Sequence, residues 1–182
     1  ALTMPRELSF KDGKLLQKPL KEMQKLHKNE FHCALSEFTQ WEPEDSCFEL
    51  YIDFEEKAEK VETVEIIETI EKEHGQQSHS MKLQLREDVV LCLEEGLLRL
   101  NMGKSGRGRK ERAAKVEKLR NLTIFSDTSA IEIFVNDGET VMTTRVYSEN
   151  LKQKVTFLSK ENTGSVTGYE LGSFIVRHHE EV

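Results

Sequence analysis

Apolar and polar residues alternate with a period of two through much of this chain, and that pattern limits its fold more than any other feature. Phe48, Leu50, Ile52 and Phe54 alternate with Glu49, Tyr51 and Asp53, and Met81, Leu83 and Leu85 alternate with Lys82, Gln84 and Arg86. Successive side chains of a strand point to opposite faces, so each run predicts a half-buried antiparallel strand with one wet face. The runs 89–93 and 97–100 flank Glu94-Glu95-Gly96 and are too short for stable helices, so they read as strands joined by a turn. The stretch 122–126, the turn Asp127-Thr128-Ser129 and Ala130–Val135 follow, with Ile131, Ile133 and Val135 on one face and Glu132 and Phe134 on the other. Asn136-Asp137-Gly138 predicts a three-residue hairpin turn, closed by a glycine at positive φ, and 139–147 the returning strand. Strands at 155–158, 166–171 and 174–176 complete the set. The stretch 61–70 has Val61, Val64, Ile67 and Ile70 at helical spacing, but its crowd of β-branched residues favours a strand, with a loop at 74–78.

Roughly ten short strands with turns between them and almost no helix predict an all-β fold, a two-sheet antiparallel β-sandwich of concanavalin or jelly-roll type. The first 30 residues differ: they hold two of the three prolines and many lysines, and only Leu20, Met23 and Leu26 after Pro19 suggest a short helix. Residues 1–30 are therefore expected to form an arm with a short helix, and 31–182 the sandwich.

Charge narrows the function. The chain carries 33 acidic against 26 basic residues, a net charge of −7, and a nucleic-acid partner needs the opposite balance. No apolar run approaches the roughly 20 residues that span a bilayer, so no membrane partner is expected. The chain opens at Ala1 with no basic or apolar leader pattern, so no signal peptide is expected within it, and without an initiator Met the start is expected to be a cut. Cys33, Cys47 and Cys92 are odd in number and widely spaced, which predicts free thiols in a reducing, cytoplasmic compartment with no disulfide framework and no zinc site.

Candidate chemistry is sparse. Gly103-Lys104-Ser105 resembles the end of a phosphate-binding loop, but Leu98 stands where the motif needs its first glycine. Lys104, Arg107, Arg109, Lys110 and Arg112 form the one basic cluster and read as a flexible, solvated loop. His178-His179 read as a tail. The carboxylates read as solvated strand faces, with no cue that two of them share a cleft. No cofactor, metal ligand or catalytic residue is expected.

The residues do resemble a family. Ile131-Glu132-Ile133-Phe134-Val135-Asn136-Asp137-Gly138, preceded by Asp127-Thr128-Ser129-Ala130, is similar to the C-terminal β-sandwich signature of glycoside hydrolase family 32, which contains invertases, levanases, inulinases and sucrose-6-phosphate hydrolases. Thr143-Thr144-Arg145-Val146-Tyr147 and Gly168-Tyr169-Glu170-Leu171-Gly172-Ser173 continue the resemblance. Met4-Pro5-Arg6-Glu7-Leu8, Asp12-Gly13-Lys14-Leu15 and Gln17-Lys18-Pro19 are similar to the junction that leaves the family's catalytic propeller. Gly108-Arg109-Lys110-Glu111-Arg112 leans towards the bacterial sucrose-6-phosphate hydrolases. The resemblance implies structural roles for Asp127, Ser129, Ile131, Glu132, Phe134, Asn136, Asp137 and Gly138. It also implies a catalytic propeller domain of the same parent as partner, with homo-oligomerisation in some relatives. The parent would be a retaining β-fructofuranosidase, but this sequence holds no Asp-Pro and no Glu-Cys dipeptide, so none of the family's catalytic motifs is carried over. A competing reading is a stand-alone carbohydrate-binding module using Trp41 and Tyr51 as sugar contacts.

Overall fold

The computed structural model describes residues 3–55, 81–150, 154–159 and 162–173. In chain order its strands are β1 (Arg6–Lys11), β2 (Lys14–Pro19), β3 (His27–Ala34), β4 (Gln40–Trp41), β5 (Phe48–Phe54), β6 (Met81–Arg86) and β7 (Val89–Glu94). They continue with β8 (Leu97–Asn101), β9 (Glu111–Lys115), β10 (Asn121–Asp127), β11 (Ala130–Val135), β12 (Thr140–Arg145), β13 (Val155–Phe157) and β14 (Gly164–Leu171). One six-stranded sheet runs β12-β11-β10-β5-β14-β3, a second runs β4-β13-β6-β7-β8-β9, and β1 and β2 form a separate ribbon. The expected all-β sandwich is what the chain forms.

Alternation builds the core. Leu50 and Ile52 of β5, Leu83 and Leu85 of β6, Leu98 and Leu100 of β8, Leu122 and Ile124 of β10, and Ile131 and Ile133 of β11 are fully buried in one cluster between the sheets. Each such side chain contributes roughly 1.5–3 kcal/mol relative to exposure. Arg86 breaks the pattern. Alternation places it on the wet face with Lys82 and Gln84, but a register shift between Gln84 and Arg86 turns it inward, where it is 1% exposed. Its guanidinium donates to Ser126 Oγ at 2.8 Å, to the Asp127 carbonyl, and to the Thr128 carbonyl at 3.4 Å, tying β6 to the β10–β11 turn of the facing sheet. Burial lowers its pKa, against the opposing influence of Cys47, Asp127 and Asp88.

The start of the chain holds more regular structure than its sequence suggested. β1 and β2 pair antiparallel from Arg6↔Pro19 to Lys11↔Lys14 around Asp12 and Gly13, both at positive φ, as a two-residue type I′ hairpin requires. The short helical pattern becomes a 3-10 helix, Lys21–Leu26, and β3 begins at His27 as an edge strand. The connection after β11 is four residues long rather than three, because β12 starts at Thr140. Within it Asn136, Asp137 and Gly138 all have positive φ. The strands expected at 61–70 and 174–176, the loop at 74–78 and the His178-His179 tail lie outside the described residues. Among the described residues no helix is long and apolar enough to cross a membrane.

Candidate functional site

Strand β11 is buried on both faces. Ile131, Ile133 and Val135 face the second sheet, while Phe134 and Glu132 on the opposite face are 2% and 5% exposed. The segment leading into the sandwich covers them. Met23 of the 3-10 helix packs with Phe125 and Phe134 in a second small core, flanked by Met4, Leu20, Leu26, Val141 and Leu171.

Glu132, expected on a solvated face, sits at the centre of this contact. One carboxylate oxygen accepts the Met4 amide at 2.6 Å, and the other accepts Arg6 Nη2 at 2.5 Å and the Thr143 hydroxyl at 3.5 Å. Arg6 also donates to Gln17 Oε1 at 2.9 Å and to Thr143 Oγ1 at 2.6 Å, and its guanidinium lies 5.3 Å from the Phe134 ring centroid. Both charges lose most of their water and recover part of it in charge-assisted hydrogen bonds, while Arg6 Nε is buried without a partner among the described residues, so the pair fixes the arrangement of two segments more than it adds to stability.

A second grip lies at the β11–β12 turn. The Gly138 carbonyl accepts the Gln17 amide at 3.1 Å. A Cβ at Gly138 would collide with the Gln17 carbonyl oxygen, and φ is +87°, so only glycine lets the two backbones meet. Lys18 pairs with Asp137 at 3.3 Å and Lys14 with Glu139 at 3.2 Å. Asn136 holds the turn from below: its Oδ1 accepts the Arg120 amide at 2.8 Å and its Nδ2 donates to the Lys118 carbonyl at 2.7 Å. The Asp127 carboxylate accepts the Thr128 amide at 2.7 Å, and the Ser129 carbonyl accepts Arg145 Nε at 3.1 Å. Of the eight signature residues, Asp127, Ser129 and Asn136 bond within the β10–β11–β12 connections, Glu132, Phe134, Asp137 and Gly138 meet the incoming segment, and Ile131 faces the core between the sheets.

One face of the ribbon shows apolar side chains to solvent. Arg6, Leu8 and Phe10 share one face with Leu15 and Gln17, as the register pairs Leu8 with Gln17 and Phe10 with Leu15. The Arg6–Gln17 end is docked, while Leu8, Phe10 and Leu15 beyond it are 62%, 76% and 54% exposed. An isolated two-stranded ribbon is marginal in water, and an exposed apolar cluster on one marks a contact surface.

Between the incoming segment and the sheet lies a cavity of about 670 Å³. Its carboxylates are each held locally: Asp45 accepts the Cys47 amide at 2.5 Å, Asp127 accepts the Thr128 amide, and both Glu132 oxygens are occupied. Among the described residues no group of three His, Cys, Asp or Glu is placed to hold a metal ion. All three cysteines are free, and burial pushes each thiol above its ordinary pKa.

The basic cluster departs from the flexible loop expected of it. Lys104–Gly106 is a 3-10 turn, Arg107 stacks on Tyr147 at 4.5 Å, and Arg109 donates to the Gly106 and Arg145 carbonyls at 3.1 and 3.0 Å. Arg112 lies within β9. The two sugar-contact candidates are far apart in role. Trp41 packs against Phe31 and Phe48, with ring centroids 4.8 and 5.4 Å away, and is part of the sandwich interior's edge. Tyr51 instead faces a groove on the outside of the first sheet.

This architecture defines a class: a β-sandwich whose outer sheet face receives a preceding hairpin and 3-10 turn. Residues 20–173 match the family described as glycosyl hydrolases family 32 C terminal, and the chain belongs to that family. It is 34% identical over 161 residues to the sucrose-6-phosphate hydrolase of Staphylococcus xylosus, covering 81% of this chain and 29% of that protein. A probable sucrose-6-phosphate hydrolase of Psychromonas ingrahamii is 28% identical over 159 residues, 86% of this chain and 26% of that one. Among solved structures, sucrose-6-phosphate hydrolase from Lactobacillus gasseri superposes with a TM-score of 0.67 at 23% identity, over 92% of this chain and 33% of that one. Fructan 1-exohydrolase IIa from Cichorium intybus gives 0.65 at 18% identity, over 93% and 40%. The chain spans less than a third of the length of these curated relatives.

Proposed function

We propose that this chain is the accessory β-sandwich of a fructosidase, of sucrose or sucrose-6-phosphate hydrolase type, and that it braces a catalytic propeller without contributing a catalytic carboxylate. The observation that carries this reading is the ribbon. It is fastened to the sandwich by Arg6–Glu132, by Gln17–Gly138 and, beside its turn, by Lys14–Glu139, and it offers Leu8, Phe10 and Leu15 to a partner. The propeller would cover those side chains and use the ribbon as its fixed attachment. The fructosyl bond would be cleaved with retention in the propeller by two carboxylates held there. The three free thiols fit a cytoplasmic setting.

The test joins this chain in cis behind a family 32 propeller and compares Phe10→Asp in the joined protein with Phe10→Asp in the 182-residue chain alone. Phe10 is three-quarters exposed in the chain, so the variant should leave the melting of the chain unchanged. In the joined protein it buries a charge in an apolar contact and should cost about 2–4 kcal/mol. An equal effect in both proteins, or none in the joined one, overturns the reading, as does fructose release from sucrose or its 6-phosphate by the chain alone.

A further inference from the structure

The outward face of the first sheet carries a feature that the bracing role does not require. On the three central strands β10, β5 and β14, Thr123, Tyr51 and Thr167 stand in one cross-strand row. The next row is Phe125, Glu49 and Tyr169. The incoming segment forms the opposite wall, so that a groove of about 320 Å³ runs between Pro19–Gln24 and the sheet. Its end is built rigidly: the His27 ring stacks on Tyr169 at 3.8 Å and 12° and is hydrogen-bonded to Glu49 Oε2 at 2.6 Å.

We propose that this groove binds one furanose or pyranose unit of a saccharide, with Tyr51 as its floor. The Thr123–Tyr51–Thr167 row presents to the groove an aromatic ring with a short hydroxyl on either side. A sugar ring has the matching chemistry: an apolar C–H face to lie on the tyrosine and a rim of hydroxyls to meet the threonines. Thr167 is already oriented by His32, whose Nδ1 lies 2.8 Å from its Oγ1. The Tyr51 and Thr123 hydroxyls have no hydrogen-bond partner among the described residues, so a ligand hydroxyl would meet donors that it need not displace from protein partners. The volume lies at the small end of the ~300–1,000 Å³ typical of small-molecule pockets, which suits one sugar unit and not a chain of them. The groove is closed on one side by the segment that carries the ribbon, so saccharide occupancy would add contacts across the same joint. This inference rests on the accessory-domain reading for its choice of ligand class, and not for its geometry.

The experiment titrates the 182-residue chain with sucrose and, separately, with a β-2,1-linked fructose trisaccharide, following backbone amides by heteronuclear NMR. Saturable shifts are expected at Tyr51, Thr123 and Thr167 and not at Tyr147 on the far patch. Tyr51→Ala should weaken binding at least about tenfold, which is about 1.4 kcal/mol. Thr123→Val keeps the β-branched shape of the strand and removes one hydroxyl, and it should weaken binding several-fold with the folded spectrum intact. Absence of saturable shifts with both saccharides, shifts that Tyr51→Ala leaves unchanged, or full-strength binding by Thr123→Val overturns the proposal. Binding is read on the chain without a propeller, so a negative result leaves the Phe10→Asp test standing, and failure of that test leaves the groove standing.

Discussion

Replacing Glu132 with alanine should open the junction while leaving the sandwich closed. Glu132 is 5% exposed, and its side chain accepts from Met4, Arg6 and Thr143. Removing one member of a buried pair costs about 3–5 kcal/mol, because the remaining charge keeps its desolvation penalty without its partner. Arg6 has an escape that a core residue lacks: the segment bearing it can lift away and return the guanidinium to water. The cost therefore falls on docking, which is supported by the small core of Met23, Phe125 and Phe134, and the sandwich core is spared. At 1.36 kcal/mol per factor of ten, a loss of about 3 kcal/mol raises the population of the opened junction more than 100-fold. Native-state hydrogen exchange reads this residue by residue. The Gln17 amide, bonded to the Gly138 carbonyl at 3.1 Å, should exchange at least about 100-fold faster, while the amides of Ile52 and Ile124 keep their protection. Glu132→Gln retains an acceptor and loses the charge, so its effect should be smaller, about 1.5–3 kcal/mol. Equal acceleration at Ile52 and Ile124, or none at Gln17, refutes the argument that Glu132 fastens the junction rather than the core.

Gly138→Ala attacks the same joint from the backbone: a side chain at φ +87° that meets the Gln17 carbonyl should cost about 1–3 kcal/mol. Combined with Glu132→Ala, it should add less than the sum in chemical denaturation, because both act on one docking step; full additivity would separate the two grips. Burial raises the pKa of Glu49, and its bond to His27 offsets this only in part. A carboxyl whose folded pKa exceeds its unfolded one favours the folded state more as pH falls through that window and less as pH rises through it. Glu49→Gln lacks this response, so urea titrations should show the native chain gaining stability relative to the variant as pH drops towards the ordinary carboxyl range; a flat or reversed difference refutes the assignment.

The sandwich was legible because its strands are half-buried: Phe48, Leu50 and Ile52 declare the inner face by alternation alone. Alternation fails where both faces are covered. Glu132 and Phe134 look like outward positions, and nothing local says that Met23 and Arg6, more than 100 residues earlier, will lie on them. Arg86 was misplaced for a related reason, since a one-residue register shift reverses which face a side chain takes and no neighbouring residue marks the bulge. The ribbon was legible and missed: Leu8 and Phe10 alternate up to Asp12-Gly13, a strong hairpin signal, but the surrounding lysines and prolines gave the segment the composition of an arm. The order around Arg107 and Arg109 rests on Tyr147 and the Arg145 carbonyl, contacts between segments distant in sequence. The Tyr51 groove was half visible. The residue was identifiable as an outward aromatic, but its neighbours Thr123 and Thr167 come from strands that only the sheet order brings beside it.

Two cations, Arg86 fully buried and Arg6 half-buried, show how the chain divides its work. Arg86 draws on backbone carbonyls and a serine of the facing sheet, so it can be released only by parting the sandwich. Arg6 draws on side chains of the outer face, Glu132 and Thr143, and is released by lifting a short segment. The first therefore belongs to global stability and the second to a subglobal opening of lower free energy. The proposed bracing role would use this order: a joint to a propeller lying against Leu8, Phe10 and Leu15 would adjust before the support behind it yields, and the Asn136-Asp137-Gly138 turn stands at the boundary, held from below by Lys118 and Arg120 and from above by Gln17.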